Sequence, residues 1–296
     1  MKPDLLCVGE SFDDLIFLDL DRLPRAGEEI RTCRFLATVG GGAVITAVVA
    51  ARLGLRARVI SALSAPAVAR LRAEGVPSLN LRKSREAAAI TAALSTRLDR
   101  SFVTFTGVND RLDDRLFALR HTLRARYIHF AFAPRDCRRW AVAVQRLRER
   151  GAITSWDFGW NERLARAPGF RALLASLDYV FVNRQEALLY ARTRTLASAV
   201  VRWKRLAPQT VIKLGEAGSR WISRDRDLLV GVRRRTPVDT TGAGDAFNAG
   251  FIAGLARGHS PRACLRLANE AGAASTRHAG GLPMTSSAIP SGSRPK

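Results

Sequence analysis

The chain has 296 residues, 47% of them hydrophobic, which is enough for a sizeable core in one large domain or two ordinary ones. It contains no charge-free apolar run of about 18 residues, so a membrane-spanning helix is not expected. The net charge is +22, and all but five of the 48 basic residues are arginine, a field that favours nucleic acids and phosphorylated small molecules alike. The arginines are spread over almost every predicted helix, and no basic motif is interleaved with aromatics. A specific nucleic-acid site is therefore not expected. The opening MKPDLLCVGESFDD turns acidic after a few apolar residues and lacks the apolar core of a signal peptide. Cys7, Cys33, Cys137 and Cys264 form no CxxC pair, and His121, His129, His259 and His278 are equally dispersed. A reducing, cytoplasmic setting without a zinc site follows as the expectation.

In chain order, DLLCVG predicts a strand over 5–9, and an apolar helix over 43–53 stops at Gly54. A strand over 58–63 and a helix over 67–74 follow. Segments 88–95 and 102–105 read as strands, the second in the alternating pattern SFVTFT. A strand is predicted over 127–132, an amphipathic helix over 138–150 and a strand over 152–156. Another strand over 177–182 leads into a helix from Gln185. A strand over 210–214 precedes a β pair at 219–222 and 228–232. Helices over 243–257 and 261–276 close the pattern, and SSAIPSGSRPK reads as a disordered tail. Repeated strand–helix units predict an α/β domain with a mostly parallel sheet and helices on both faces. Segments 17–39 and 88–106 break the rhythm. They are strand-like without a helix, and predict a small β subdomain over one edge of the sheet.

The densest chemistry lies in VDTTGAGDAFNAG, residues 238–250. Its glycines allow backbone conformations closed to other residues. They lead into an apolar helix, whose first N–H groups converge on one point and favour an anion. A carboxylate in the same turn makes sense if it touches a hydroxyl that attacks that anion. Asp245 is then a general base, and the N–H groups of Gly242, Ala243 and Gly244 stabilise charge on the transferring group. A capped helix with glycines for tight packing accounts for the same residues.

The companions of this turn make the sequence resemble the ribokinase/PfkB family of carbohydrate kinases. DTTGAGDAF at 239–247 is close to the family's C-terminal signature, and the resemblance runs from about residue 5 to 283. It implies a ribokinase-like three-layer α/β/α sandwich. That fold would be a single domain over 1–285, with a β lid from about 15–40 and 86–107 and a tail over 286–296. It also implies ATP as phosphoryl donor, Mg2+, and transfer to a sugar-like hydroxyl with Asp245 as base. Asp14, five residues after Gly9, matches a carboxylate that binds substrate hydroxyls. VGGGAVITAVVAARLG resembles the N-terminal signature, where Gly41 and Gly42 let backbone approach the acceptor. FVNRQEA places Asn183 and Glu186 on an N-x-x-E motif near magnesium and the phosphates, with Glu186 reaching the hydrated ion. Lys213, Gly215 and Gly218 match the strand and turn over the nucleotide, with Lys213 where a small hydroxyl residue is usual. Asn269 falls near the adenine. Asp239 and Thr241, with carbonyls of Ser275, His278 and Gly280, match a site for a monovalent cation such as K+. Asp157, in WDFGWNER, falls where the family often has an aspartate. Lids of the family often pair between subunits, which implies a homodimer.

Two departures bear on the acceptor. Ile45 stands where the N-terminal signature usually carries an asparagine that touches the sugar, and loss of such a contact alters discrimination. The segment SALSAPAVARLRAEG is also shorter than the family's and lacks its glycine- and aspartate-rich turn. Three readings remain at this level: a sugar kinase, a nucleoside or other non-sugar kinase, and a non-catalytic sugar or nucleotide binder. For the second, Ile45, Phe12, Phe102, Phe105 and Trp156 offer an apolar acceptor pocket.

Overall fold

The computed structural model describes residues 3–96, 100–232 and 238–282; the tail expected over 286–296 lies outside them. The chain begins with β1 (Leu5–Gly9), β2 (Phe12–Leu20), β3 (Arg34–Gly40), α1 (Gly42–Arg52), β4 (Ala57–Ser61), α2 (Ala65–Ala73) and β5 (Ser78–Asn80). Then come β6 (Ile90–Thr96), β7 (Arg100–Phe105), α3 (Leu112–Ala118), β8 (Tyr127–Ala131), α4 (Cys137–Glu149), β9 (Ile153–Asp157) and α5 (Phe170–Ser176). The remainder is β10 (Tyr179–Asn183), α6 (Arg184–Ala191), α7 (Leu196–Leu206), β11 (Gln209–Lys213), β12 (Ser219–Ser223), β13 (Asp227–Val230), α8 (Ala243–Ala256) and α9 (Pro261–Ser275).

Nine strands form the main sheet in the order β13-β12-β11-β10-β9-β8-β1-β4-β5. The strands from β11 to β5 pair in parallel, and β12 and β13 are antiparallel. A strand buried on both faces reads as an unbroken apolar run, and β1 does so. Leu6 and Val8 enter one core with residues of α3, α4, α5, α6 and α7. Leu5 and Cys7 enter the other with residues of α1, α2, α8 and α9. The result is the three-layer α/β/α sandwich expected from the alternating strands and helices.

Four strands stand apart in a second sheet of order β3-β2-β6-β7. It is built from the two segments that broke the strand–helix rhythm. β2 starts at Phe12, before the expected onset, so Asp13 and Asp14 are strand residues and not part of a loop. Asp14 pairs with Thr38 on β3 and Thr91 on β6. Ser64, the N-cap of α2, donates to Asp13 at 2.5 Å and ties the two sheets together.

Three helices and one strand add to the expected elements. α3 and α5 span seven residues each and β5 three, too short for a periodic signal. α7 did carry one: Ala199, Val200, Trp203 and Leu206 share its buried face, and Thr195 caps its N-terminus. Among the described residues, no helix is long and apolar enough to cross a membrane.

Trp156 is fully buried, with its ring 4.5 Å from that of Phe130 and 5.1 Å from that of Phe158. Its Nε1 donates to the Phe132 carbonyl at 2.7 Å. Trp156→Ala is expected to cost about 3–5 kcal/mol, whereas Phe102→Ala on the exposed β7 is expected to stay within about 0.5 kcal/mol. Urea unfolding midpoints measure both, and equal shifts would contradict the assigned core.

Candidate active site

The N-termini of α1 and α8 meet beneath the second sheet. Gly41 caps α1 with φ 97°, and a side chain there would strike the main chain of Glu10 and Ser11. Gly242 caps α8 with φ 73°, against Gly281 and the Ile45 side chain. Both positions need glycine. A Cβ at Gly42 would lie 3.1 Å from Asp245 Oδ1, and Thr46 Oγ1 donates to the Asp245 carbonyl at 3.2 Å. Gly40 leaves the space that the Asp14 carboxylate fills. Asp14, Gly41, Gly42 and Asp245 are thereby brought to one place. Within the turn, the Ala243 N–H closes onto the Thr240 carbonyl at 3.2 Å.

A cleft of about 400 Å3 opens beside this junction. Asn183, Lys213, Gly215, Gly218, Gly244 and Asn269 all line it, and Ala243 and Phe247 contribute from α8. The Asn269 side chain donates to the carbonyls of Val230 and Gly231 at 3.2 and 3.4 Å, so it holds the backbone after β13. Glu186 closes a capping box on α6. Its carboxylate accepts from the Asn183 N–H at 2.8 Å and Nδ2 at 2.7 Å, and Asn183 Oδ1 accepts from the Glu186 N–H at 2.9 Å.

Lys213 lines the cleft with its side chain largely buried. Its Nζ donates to Asp157 Oδ2 at 2.6 Å and lies 3.1 Å from where a Gly244 Cβ would sit. Asn248 Nδ2 donates to the same carboxylate oxygen at 2.8 Å. Burial pushes the Asp157 carboxyl up, but the Lys213 ammonium outweighs it and holds the group below the usual range. Three other carboxyls lack such a partner. Burial, with Asp157 and Glu186 close by, pushes Asp245 up to about 7 even though the residue is only partly covered. Burial with Asp157 takes Glu186 to about 7, and burial with Asp13 and Asp239 takes Asp14 to about 7. The site therefore holds carboxyls of two kinds: one charged and paired, the others balanced near neutrality.

Asp239, Thr241 and Gly280 also converge, but around a different partner. Asp239 Oδ1 accepts from the Thr241 N–H and Oγ1, both at 2.8 Å, and Oδ2 accepts from the Gly280 N–H at 2.7 Å. The guanidinium of Arg100, on β7, donates to Asp239 Oδ1, Thr241 Oγ1 and Thr240 Oγ1. Donors thus surround the carboxylate that would have to face a K+ ion, and the donor set does not fit one. Ser275 turns its hydroxyl to the Gly272 carbonyl, and His278 is exposed. It is the Thr276 carbonyl that meets this segment, accepting from the N–H groups of Val238 and Asp239.

The apolar acceptor pocket offered from sequence needs correction. Trp156, on β9, packs in the core, and Ile45 is 2% exposed, with its Cδ1 packed against Gly242 and Gly281. Ile45 props the turn ahead of α8 and does not line an open pocket. Phe102 and Phe105 are more than half exposed on the edge strand β7. Arg100 and Asn248 escaped the sequence reading. Asn248 stands three residues past Asp245 on the same helix, a position the helical period could have offered. Arg100 is one arginine among many and carried no local signal.

The pfkB family carbohydrate kinase model matches residues 2–287. A ribokinase of Bacillus subtilis is 26% identical over 90% of this chain and 91% of its own length. A nucleoside kinase of Methanothermobacter thermautotrophicus is 27% identical over 90% and 87%. In fold, an adenosine kinase from Sinorhizobium meliloti superposes with TM-score 0.79 over 97% of both chains at 24% identity. Matched over nearly its whole length, and built as a mostly parallel α/β/α sandwich in which the glycine turns ahead of α1 and α8 meet at one junction, the chain belongs to the pfkB family of carbohydrate kinases and is an enzyme.

Proposed function

We propose that this kinase moves the γ-phosphoryl group of ATP to a hydroxyl of a sugar or sugar-like alcohol, with Asp245 as general base. The observation that carries the reading is the position of Asp245. It stands between the Asp14 and Gly42 side, which this reading assigns to the acceptor, and the cleft lined by Gly244 and Lys213. A carboxyl pushed up to about 7 takes a proton from an alcohol more readily than an ordinary aspartate does. Asp14 orients the acceptor hydroxyls from β2. Of the three amides expected to form the anion hole, the Ala243 N–H is taken by the Thr240 carbonyl, which leaves those of Gly242 and Gly244 for the transferring group at the start of α8, where unpaired donors and the helix dipole favour negative charge. Lys213 holds a positive charge at the floor of the cleft, between Asp157 and Gly244. Such transfer rests on positioning and charge neutralisation more than on covalent chemistry. Bound magnesium would neutralise phosphate charge, taking one or two carboxylates and otherwise water and phosphate. Glu186, behind Asn183 of the cleft wall, is the carboxylate that would reach a hydrated ion, whereas both oxygens of Asp157 are taken by Lys213, Asn248 and the Gly159 N–H. A homodimer through the second sheet belongs to the same reading, supported by the exposed Phe35, Phe102 and Phe105.

A nucleoside acceptor is the second reading. Ile45 is committed to packing, so the acceptor end lacks the polar side chain that the family's sugar kinases usually place there. The similarity to a nucleoside kinase over most of the chain points the same way. A non-catalytic binder has no use for a carboxyl held near neutrality at Asp245.

Three outcomes are expected. ADP release in the presence of ATP and magnesium should be stimulated by one class in a panel of pentoses, hexoses, keto-deoxy acids and nucleosides; no stimulation by any acceptor would favour the binder. Asp245→Asn should lower kcat by about 10²–10⁴-fold while calorimetry shows unchanged ATP affinity, and near-normal turnover would remove Asp245 as base. The base works only when deprotonated, so kcat/KM should rise with pH through about 7. An acid limb at ordinary carboxylate pH would contradict the role.

A further inference from the structure

Arg100 belongs to the second sheet, yet its guanidinium is seated in the main domain. Its side chain is 21% exposed and that of Asp239 2%. It bridges three consecutive residues, donating to Asp239 Oδ1, Thr240 Oγ1 and Thr241 Oγ1. These residues lead directly into Gly242, the cap of α8. The Thr241 hydroxyl donates to Asp239 and accepts from Arg100, so the turn is a closed network of charge-assisted bonds. The arginine's own strand is continuous with the acceptor side. Arg100 pairs with Ser95 on β6, and β6 pairs with β2 where Thr91 faces Asp14. The Phe102 ring lies 5.7 Å from the guanidinium.

We infer that Arg100 is the resident cation of the anion-binding turn: a guanidinium carried on the second sheet replaces the monovalent ion, and makes nucleotide binding at this turn independent of K+. The chemistry supports the exchange. Asp239 is nearly sealed and needs a positive partner there. An alkali ion needs several oxygen lone pairs directed at one point, whereas here the Thr241 N–H, the Gly280 N–H and the guanidinium all donate to the two oxygens. A planar guanidinium satisfies a carboxylate and two hydroxyls at once and stays charged at any working pH. Unlike a diffusible ion, it also ties the turn to the sheet that carries Asp14. Arg100 is thus a positioning residue: it acts on the phosphate side through the 239–241 segment.

The inference rests on the kinase reading, and the experiment separates the two. The full chain and its Arg100→Ala and Arg100→Lys variants are titrated with magnesium and a non-hydrolysable ATP analogue, in KCl and in choline chloride at equal ionic strength. Thermal midpoints of the nucleotide-free proteins in the same salts give a readout that does not require a kinase. The unaltered protein should show the same affinity and midpoint in both salts. Arg100→Ala should bind roughly tenfold or more weakly in choline, as loss of charge-assisted bonds implies. Its midpoint should fall, and KCl or a non-denaturing concentration of guanidinium should recover part of both. Arg100→Lys should keep the indifference to K+. Unaltered protein that gains affinity and stability from K+ would overturn the inference. So would an Arg100→Ala protein that matches it in choline, or one whose loss neither cation restores. Failure of the unaltered protein to bind the analogue in either salt would reject the kinase reading and leave the midpoints to judge Arg100.

Discussion

Lys213 Nζ lies 2.6 Å from Asp157 and next to Gly244, and the charge state of the carboxyls around it follows from that placement. A buried ion pair offsets its desolvation only with good geometry and further hydrogen bonds. Asp157 has both: Asn248 donates to the same oxygen as Lys213, and the Gly159 N–H donates to the other at 3.1 Å. The ammonium donates its hydrogen bond to this partner and acts on Glu186 and Asp245 through space only, too weakly to offset their burial. Asp245, Glu186 and Asp14 share the neighbourhood without an equivalent cation, so burial moves each of them towards neutrality. One paired carboxylate beside several poised ones gives the site an acceptor for protons and an anion for cations.

Backbone geometry sets where those groups stand. Two helices begin at glycines of positive φ, Gly41 and Gly242, and both open on the same junction. Side chains at Gly40, Gly42 or Gly244 would press on Asp14, Asp245 or Lys213 respectively. The glycines thus do two jobs. Some turn the chain, and others leave the volume that the charged groups occupy. Ile45 belongs to the same design from the opposite side, filling the space between Gly242 and Gly281 with hydrocarbon.

The parallel sheet was legible because β1, β8 and β10 are short, mostly apolar runs, and helices such as α4 and α6 follow strands in the alternation that a parallel sheet requires. The terminal helices were legible because α8 and α9 are long, and Ser260 with Pro261 marks the start of α9. Short elements such as α3 and α5 contain too few turns to show a period. At the site, residues of contiguous motifs could be found: Asp245 with Gly242 and Gly244, and Asn183 with Glu186. Pairings across long stretches of chain could not. Lys213 with Asp157 and Arg100 with Asp239 join distant segments, and nothing near either residue announces its partner. The acceptor end suffered most, since a residue name at 45 does not say whether the side chain faces a ligand or the core.

Asp245 is held as a half-buried acid close to neutrality, ready to accept the proton of an attacking hydroxyl. Carboxyl carbon resonances of the ligand-free protein, labelled with 13C at aspartate and assigned by comparison with an Asp245→Asn variant, report that proton directly. The Asp245 signal should titrate with a midpoint of about 7. A midpoint in the ordinary carboxylate range near 3.9 would show a permanently ionised residue and contradict the account.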